Sequence, residues 1–249
     1  MNAALAALAF APGLAIGSFM NVVAARVPVG RSVVTPRSAC MECGHEIRSR
    51  DNVPVVSYVL LRGRCRDCGA VISWRYPALE LVTALLVAAC VLAFGASLHA
   101  LAAAVFCVAL VVISSTDIER RIVPNKVVLP AAGLVLVLQL VRDPSVEWPA
   151  AGLGAATFLF LAALAYPRGM GMGDVKLALL LGVGVGWSVP VALFAGMVFA
   201  LVPSLVLFAR HGSAARKMAI PFAPFLALGG LLALFAGGPI VHWYVNHLL

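Results

Sequence analysis

The sequence predicts an all-α protein, a polytopic transmembrane helical bundle of about eight spans. Three observations point there. Hydrophobic residues make up 63% of the 249 and charged residues only 11%, with a mean hydropathy of +1.03, whereas an ordinary soluble domain carries about 25% charge. The apolar residues fall in runs close to the ~20 needed to cross a hydrocarbon core. The basic residues gather on alternate connections between those runs, as expected of a chain threaded back and forth through a membrane. A transmembrane barrel would instead show short segments of alternating polarity.

The first run covers residues 3–25. It has no basic leading segment and passes through Pro12, Gly13 and Gly17 without a cleavage signal, so it is read as a retained helix rather than a signal peptide. A polar loop follows over 26–76, carrying nine arginines. Seven further runs lie at 77–95, 98–116, 127–141, 147–166, 175–187, 189–209 and 219–243. Those at 127–141 and 175–187 are short for a full crossing, which makes them candidates for tilt, re-entry or fusion across a turn.

With eight spans, the loop 26–76 and the positions Arg120, Arg121, Lys126, Arg168, Lys176, Arg210, Arg216 and Lys217 fall on one side. They hold 17 of the 18 basic residues, leaving Arg142 opposite. The positive-inside rule makes the basic side cytoplasmic, so both termini are expected to face outward. The net charge of +8 is thereby explained by topology and does not call for nucleic acid.

Within the cytoplasmic loop stand Cys40-Met-Glu-Cys43-Gly and Cys65-Arg-Asp-Cys68-Gly, two CxxC pairs separated by 21 residues. This spacing is that of a structural zinc site: each turn aims two thiolates at one cation, and Gly44 and Gly69 relieve the turn. The loop is too small for a core of its own, so metal would supply much of its order. Two disulfides, or a redox pair, are the competing readings, disfavoured by a cytoplasmic position and by the lack of a βαβ setting. His45 is a spare neighbour, and Cys90 and Cys107 are packing residues inside spans. An arginine-rich ribbon can also bind nucleic acid; tethered between spans, it is expected to meet anionic lipid head groups instead.

Of ten acidic residues, four lie in the loop and two, Asp143 and Glu147, in a short outer connection. Glu80, Asp117, Glu119 and Asp174 remain, at or inside span ends, where ionisable groups are costly and usually functional. Asp117 closes the third span and Asp174 opens the sixth. Two complete crossings separate them, so they return to one leaflet at similar depth. Two carboxylates a few ångströms apart tend to share one proton. One then acts as base towards a water molecule attacking a peptide carbonyl while the other acts as acid, and the pair titrates as a unit.

Asp174 stands in Gly169-Met170-Gly171-Met172-Gly173-Asp174-Val175-Lys176, where Gly171 and Gly173 would let the backbone leave helical geometry and approach a substrate. The plainer reading is packing glycines before a helix-start aspartate. A phosphate-binding loop is excluded, since neither a GKS or GKT sequence nor a preceding strand is present. Glu80 would bind a substrate amine or pair with a loop arginine. Glu119 reads as a surface neighbour of Arg120 and Arg121, and Lys176 as a partner of Asp174 or of a lipid phosphate.

Together these pieces resemble the type IV prepilin leader peptidases, within the GxGD intramembrane aspartyl proteases. The resemblance spans nearly the whole chain. It is carried by Gly17-Ser18-Phe19-Met20-Asn21-Val22-Val23 with Arg26-Val27-Pro28, the paired CxxC turns, Arg75-Tyr76-Pro77 with Glu80-Leu81, Asp117 followed by Val123-Pro124-Asn125, Gly171-Met172-Gly173-Asp174-Val175-Lys176, and a closing Pro221-Phe222-Ala223-Pro224-Phe225-Leu226-Ala227. Departures are mild: Val123 stands where isoleucine is usual and Ala223 where glycine is common.

The resemblance implies that Asp117 and Asp174 are catalytic. It implies removal of a basic leader from prepilins or pseudopilins at the cytoplasmic face of the bacterial inner membrane, in pilus assembly or type II secretion. It further implies N-methylation of the new amino terminus with S-adenosylmethionine, without naming methyl-transfer residues. The chain then divides into a first transmembrane helix (1–25), a zinc-binding loop (26–76) and an aspartyl protease bundle (77–249). The competing class is a membrane transporter or scaffold with a zinc-ribbon docking loop. Presenilin-like proteases fit less well, because Pro77-Ala78-Leu79 precedes both aspartates.

Overall fold

A computed structural model of the chain describes residues 2–166, 170–212 and 220–248. Arg168, Gly169, Arg216, Lys217 and the first residue of the expected last span lie outside the described residues. The described residues contain no strand, only two isolated bridges, Ala39 with Glu46 and Arg64 with Val71. The helices are α1 (Asn2–Arg26), the short α2 (Val56–Leu60), α3 (Arg75–Phe94), α4 (Leu98–Arg120), α5 (Asn125–Arg142), α6 (Glu147–Ala165), α7 (Met172–Val185), α8 (Val189–His211) and α9 (Ala223–Leu248).

In lipid every backbone polar group must find its partner inside its own segment or barrel, which is why the apolar runs appear as helices. Their outward faces are apolar too: Leu85, Leu153, Phe194 and Val202 are all more than half exposed. Helices apolar all round belong in a hydrocarbon solvent. Seven stretches are long and apolar enough to cross a membrane, the sixth being Met172–His211 with 40 residues.

Residues 1–100 and 101–249 form two compact units. In the first, α1 lies along α3. Gly13 and Gly17 make the small-xxx-small pattern that lets helices close up without a hydrophobic driving force. A Cβ on Gly13 would stand 2.8 Å from the Cα of Ala84, and one on Gly17 would stand 2.7 Å from the Cα of Glu80.

In the second unit α7 is central, packed by α5, α6 and α9, with Leu177, Ala178, Leu180 and Leu181 fully buried. At its far end Gly186 takes φ +56 and a 3-10 turn over Gly186–Ser188 sends the chain back into α8. Along the α8–α9 pair Ser188 meets Gly237 and Gly196 meets Leu226, so α8 and α9 are antiparallel. The 40-residue apolar stretch therefore holds two helices, α7 and α8, separated by the 3-10 turn. At about 1.5 Å per residue α7 is near 21 Å long, short of the ~30 Å core; enclosure by protein makes this tolerable.

The same end of the second unit is closed by buried Gln139, whose amide donates to the Gly184 carbonyl at 3.2 Å and whose Oε1 accepts from Arg142. Arg142 in turn lies over the Trp148 ring, and the Trp187 N–H donates to Glu147. The opposite end carries the acids.

Candidate active site and metal centre

Four segments of the second unit converge at that end. The last turn of α4 brings Asp117, which is 7% exposed. The first turn of α7 brings Asp174, half-buried. The link between α4 and α5 contributes Val123, the start of α5 contributes Asn125, and the first residue of α9, Ala223, donates its backbone N–H to Asp117 Oδ2 at 3.0 Å. Asp117 and Asp174 lie close enough for the charge of one to act on the other. Gly173, next to Asp174, packs on Val123 in the link that follows Asp117, so the two aspartates stand at the same end of the unit.

Asp174 is the third residue of α7, and its carboxylate accepts the N–H of Gly171, the residue capping that helix. A carboxylate reaching back from the third position to the cap occupies one donor that the helix start leaves open. Gly171 is extended, at φ −84 and ψ 148, and Gly173 already lies in the helix. Gly173 is there for close packing, since a Cβ at this position would stand 2.9 Å from Val123 Cβ. Among the described residues Lys176 pairs with no acid; its Nζ donates to Asn125 Oδ1 at 2.8 Å, tying α7 to the start of α5.

The contact between Ala223 and Asp117 was missed by sequence reasoning, being made by a backbone group 106 positions away. The only local signal was Pro221 with Pro224, a pattern suited to a helix start. Glu80, 8% exposed in the first unit, pairs with no loop arginine among the described residues. Its Oε2 accepts the Val55 N–H at 2.8 Å, and the Ser18 and Asn21 side chains of α1 also bond it. Asn21 in addition donates to the Tyr76 carbonyl at 3.1 Å. The motif 17–21 and the motif 75–80 are thus two sides of one helix contact.

The cysteine loop folds as two like turns. In the first, Cys40 N–H donates to the His45 carbonyl, Gly44 N–H to the Cys40 carbonyl and Ile47 N–H to Ser38; in the second, Cys65 bonds Ala70, Gly69 bonds Cys65 and Ile72 bonds Gly63. Gly44 and Gly69 take φ +72 and +73, which a glycine adopts without cost. All four thiols are free, and their sulfurs lie within 4.8 Å of one another, with Cys40 and Cys68 at 3.8 Å. Tetrahedral zinc with Zn–S bonds of about 2.3 Å requires sulfurs about 3.8 Å apart, so the set fits such an ion. Backbone N–H groups of Cys43 and Glu42 hold the Cys40 thiol down to about 7, while burial and the neighbouring thiols push Cys68 up to about 12. His45 gives the cluster its carbonyl, not its ring.

Two ion pairs support the loop beside the cysteines, Arg48 with Asp67 at 3.4 Å and Arg66 with Asp51. Arg66, inside the second CxxC turn, makes a bidentate contact with Asp51 at 2.8 and 2.7 Å. The Arg66 guanidinium holds the Asp51 carboxyl below the usual carboxylate range. Between residues 27 and 74 only Ser57 and Gly63 are buried, so no apolar core accompanies the cluster.

Fold and site define a multi-pass helical membrane protein with two aspartates at one end of its second unit and a four-cysteine loop. Two family models match: a bacterial peptidase A24 N-terminal domain over residues 12–94 and the type IV leader peptidase family over 104–205. The chain is 35% identical to a prepilin leader peptidase/N-methyltransferase of Bacillus subtilis, over 94% of this chain and 95% of that protein. Relatives of the same name from Burkholderia pseudomallei (36%, 94% of this chain, 86% of that protein) and Aeromonas hydrophila (34%, 97% and 94%) are similar. No solved structure matches significantly. The chain belongs to the type IV leader peptidase family, as a multi-pass inner-membrane member.

Proposed function

We propose that this chain is an intramembrane aspartyl endopeptidase that removes the basic leader from type IV prepilins or pseudopilins and N-methylates the amino terminus so exposed. The observation that supports this reading is that Asp117 and Asp174 stand at one end of the second unit, near enough for the charge of one to act on the other. Two carboxylates sharing a proton supply a base for water and an acid for the carbonyl and the leaving amine at the same moment. The names of the relatives supply the substrate class and the second activity.

Charge supports the side of the membrane. Arg120 ends and Arg121 follows the helix of Asp117, Lys126 and Lys176 stand near the starts of α5 and α7, and Arg142 closes the far end of α5, a distribution that by the positive-inside rule favours the cytoplasmic leaflet for the acids. The same rule makes the cysteine loop cytoplasmic and both termini outward. A leader rich in basic residues would meet the pair there without crossing the membrane.

Zinc held by Cys40, Cys43, Cys65 and Cys68 would be structural, since a set of four thiolates leaves no open position for a substrate. S-adenosylmethionine would supply an electrophilic methyl group to the new terminal amine, and no residue is assigned to it. The lipid bilayer with its anionic head groups is the remaining partner of the basic loop.

Incubation of the purified chain with one full-length prepilin, with and without S-adenosylmethionine, tests the reading by mass spectrometry. The expected products are a pilin shortened by its leader and a further gain of one methyl. An unchanged pilin mass, with ion flux or partner binding instead, would make the chain a transporter or scaffold.

A further inference from the structure

We propose that Asp117 is the ionised, water-activating member of the pair and Asp174 the proton-bearing member, with the first turn of α9 and Arg121 as the positioning groups that keep the charge on Asp117. The inference rests on the paired-aspartate function above and divides its labour. Asp117 closes α4, where a helix dipole alone would repel an anion. That handicap is overcome from another helix. Ala223 is the first residue of α9, and its N–H points at Oδ2 over 3.0 Å. The positive end of α9 therefore faces Asp117, a setting that favours a carboxylate over a carboxylic acid.

Arg121 adds a full charge. Directly after α4 it takes φ +54, its N–H donates to the Asp117 carbonyl, and its guanidinium charge acts on the Asp117 carboxylate. Asp174 has less support. Among the described residues the Gly171 backbone is the donor beside it, Asp117 is the charge that acts on it, and Lys176 is spent on Asn125. With one proton between the two groups, it settles on the acid with fewer donors.

The reaction then balances. Water gives one proton to Asp117 as its oxygen bonds the carbonyl carbon, and Asp174 gives its proton to the carbonyl oxygen. On collapse the C–N bond breaks, the leaving nitrogen takes the proton from Asp117, and a hydroxyl proton of the diol returns to Asp174. No other reactant is needed.

The test is the pH profile of kcat/KM for prepilin cleavage by the detergent-solubilised full chain. Its acid limb reports ionisation of the base and its alkaline limb loss of the acid's proton, both as properties of the pair. Arg121→Asn removes the charge with a side chain that tolerates a positive φ, and Ala223→Pro removes the N–H at a helix-start position that accepts proline. Each is expected to move the acid limb to higher pH by about one unit, leaving the alkaline limb in place, and Arg121→Lys to restore the Arg121 effect. Movement of the alkaline limb alone, or of neither limb in the folded Arg121→Asn protein, overturns the assignment. Asp117→Asn is carried alongside: cleavage retained there would instead remove the dyad itself.

Discussion

Gly173 and Val123 touch so closely that a single methyl group at 173 would stand 2.9 Å from the valine Cβ and 3.0 Å from its Cγ2. This contact sets the depth at which α7, and with it Asp174, sits against the link that follows Asp117. Gly173→Ala is expected to lower cleavage by on the order of 10-fold to 10²-fold, since small displacements of a reacting group carry penalties of that size. Val123→Gly in the same chain should recover part of the loss. A double-mutant cycle on kcat/KM checks this, and strictly additive effects would show that the contact does not position the acid.

Asp117→Asn and Asp174→Asn should each reduce prepilin cleavage by at least about 10²-fold, the low end of what a positioned acid or base contributes. Both proteins should elute from size exclusion as the parent does. Cleavage within tenfold of the parent in either variant would mean that the two carboxylates do not act as a pair.

Replacing one cysteine in each turn, Cys40→Ser with Cys65→Ser, should lower bound zinc from about one ion per chain to near none, because two thiolates are too few for a structural site. As residues 27–74 bury only Ser57 and Gly63, the loop should then be cut by added protease much faster than before. Metal analysis and timed proteolysis read the two effects. An unaltered zinc content would assign the metal elsewhere.

Gly17→Leu should loosen α1 from α3, because its Cβ would lie 2.7 Å from the Cα of Glu80, a backbone atom that cannot turn away. The cost of such overpacking is about 1–3 kcal/mol. Gly154→Ala is the control, with nothing within 4 Å of the added methyl. A thermal-shift series in one detergent should lower the midpoint for Gly17→Leu and leave it unchanged for Gly154→Ala. Equal behaviour of the two would remove close packing as the basis of the α1–α3 pair.

Helix number and order were legible in the chain because run length is a local property, and a backbone in lipid has few alternatives to a helix. The runs drawn at 127–141 and 175–187 appear as Asn125–Arg142 and Met172–Val185, displaced by no more than three residues. The cysteine turns were equally legible, since CxxC with a following glycine specifies its own turn, whereas the 3.8 Å between Cys40 and Cys68 joins the two turns and is a tertiary contact. Glu80 was singled out correctly as a buried acid, but its partners are an N–H and two polar side chains, not an arginine.

What no local pattern contains is how distant segments lie against one another. The aspartates could be placed at one end by counting crossings, yet the Ala223 N–H on Asp117, the Val123 wall behind Gly173 and the Lys176 bond to Asn125 join residues 106, 50 and 51 positions apart. Hydropathy and spacing determine which segments enter the membrane and which end carries the charge. Close packing between helices alone decides which backbone groups face each acid, because in lipid that packing depends on side-chain shape rather than on polarity.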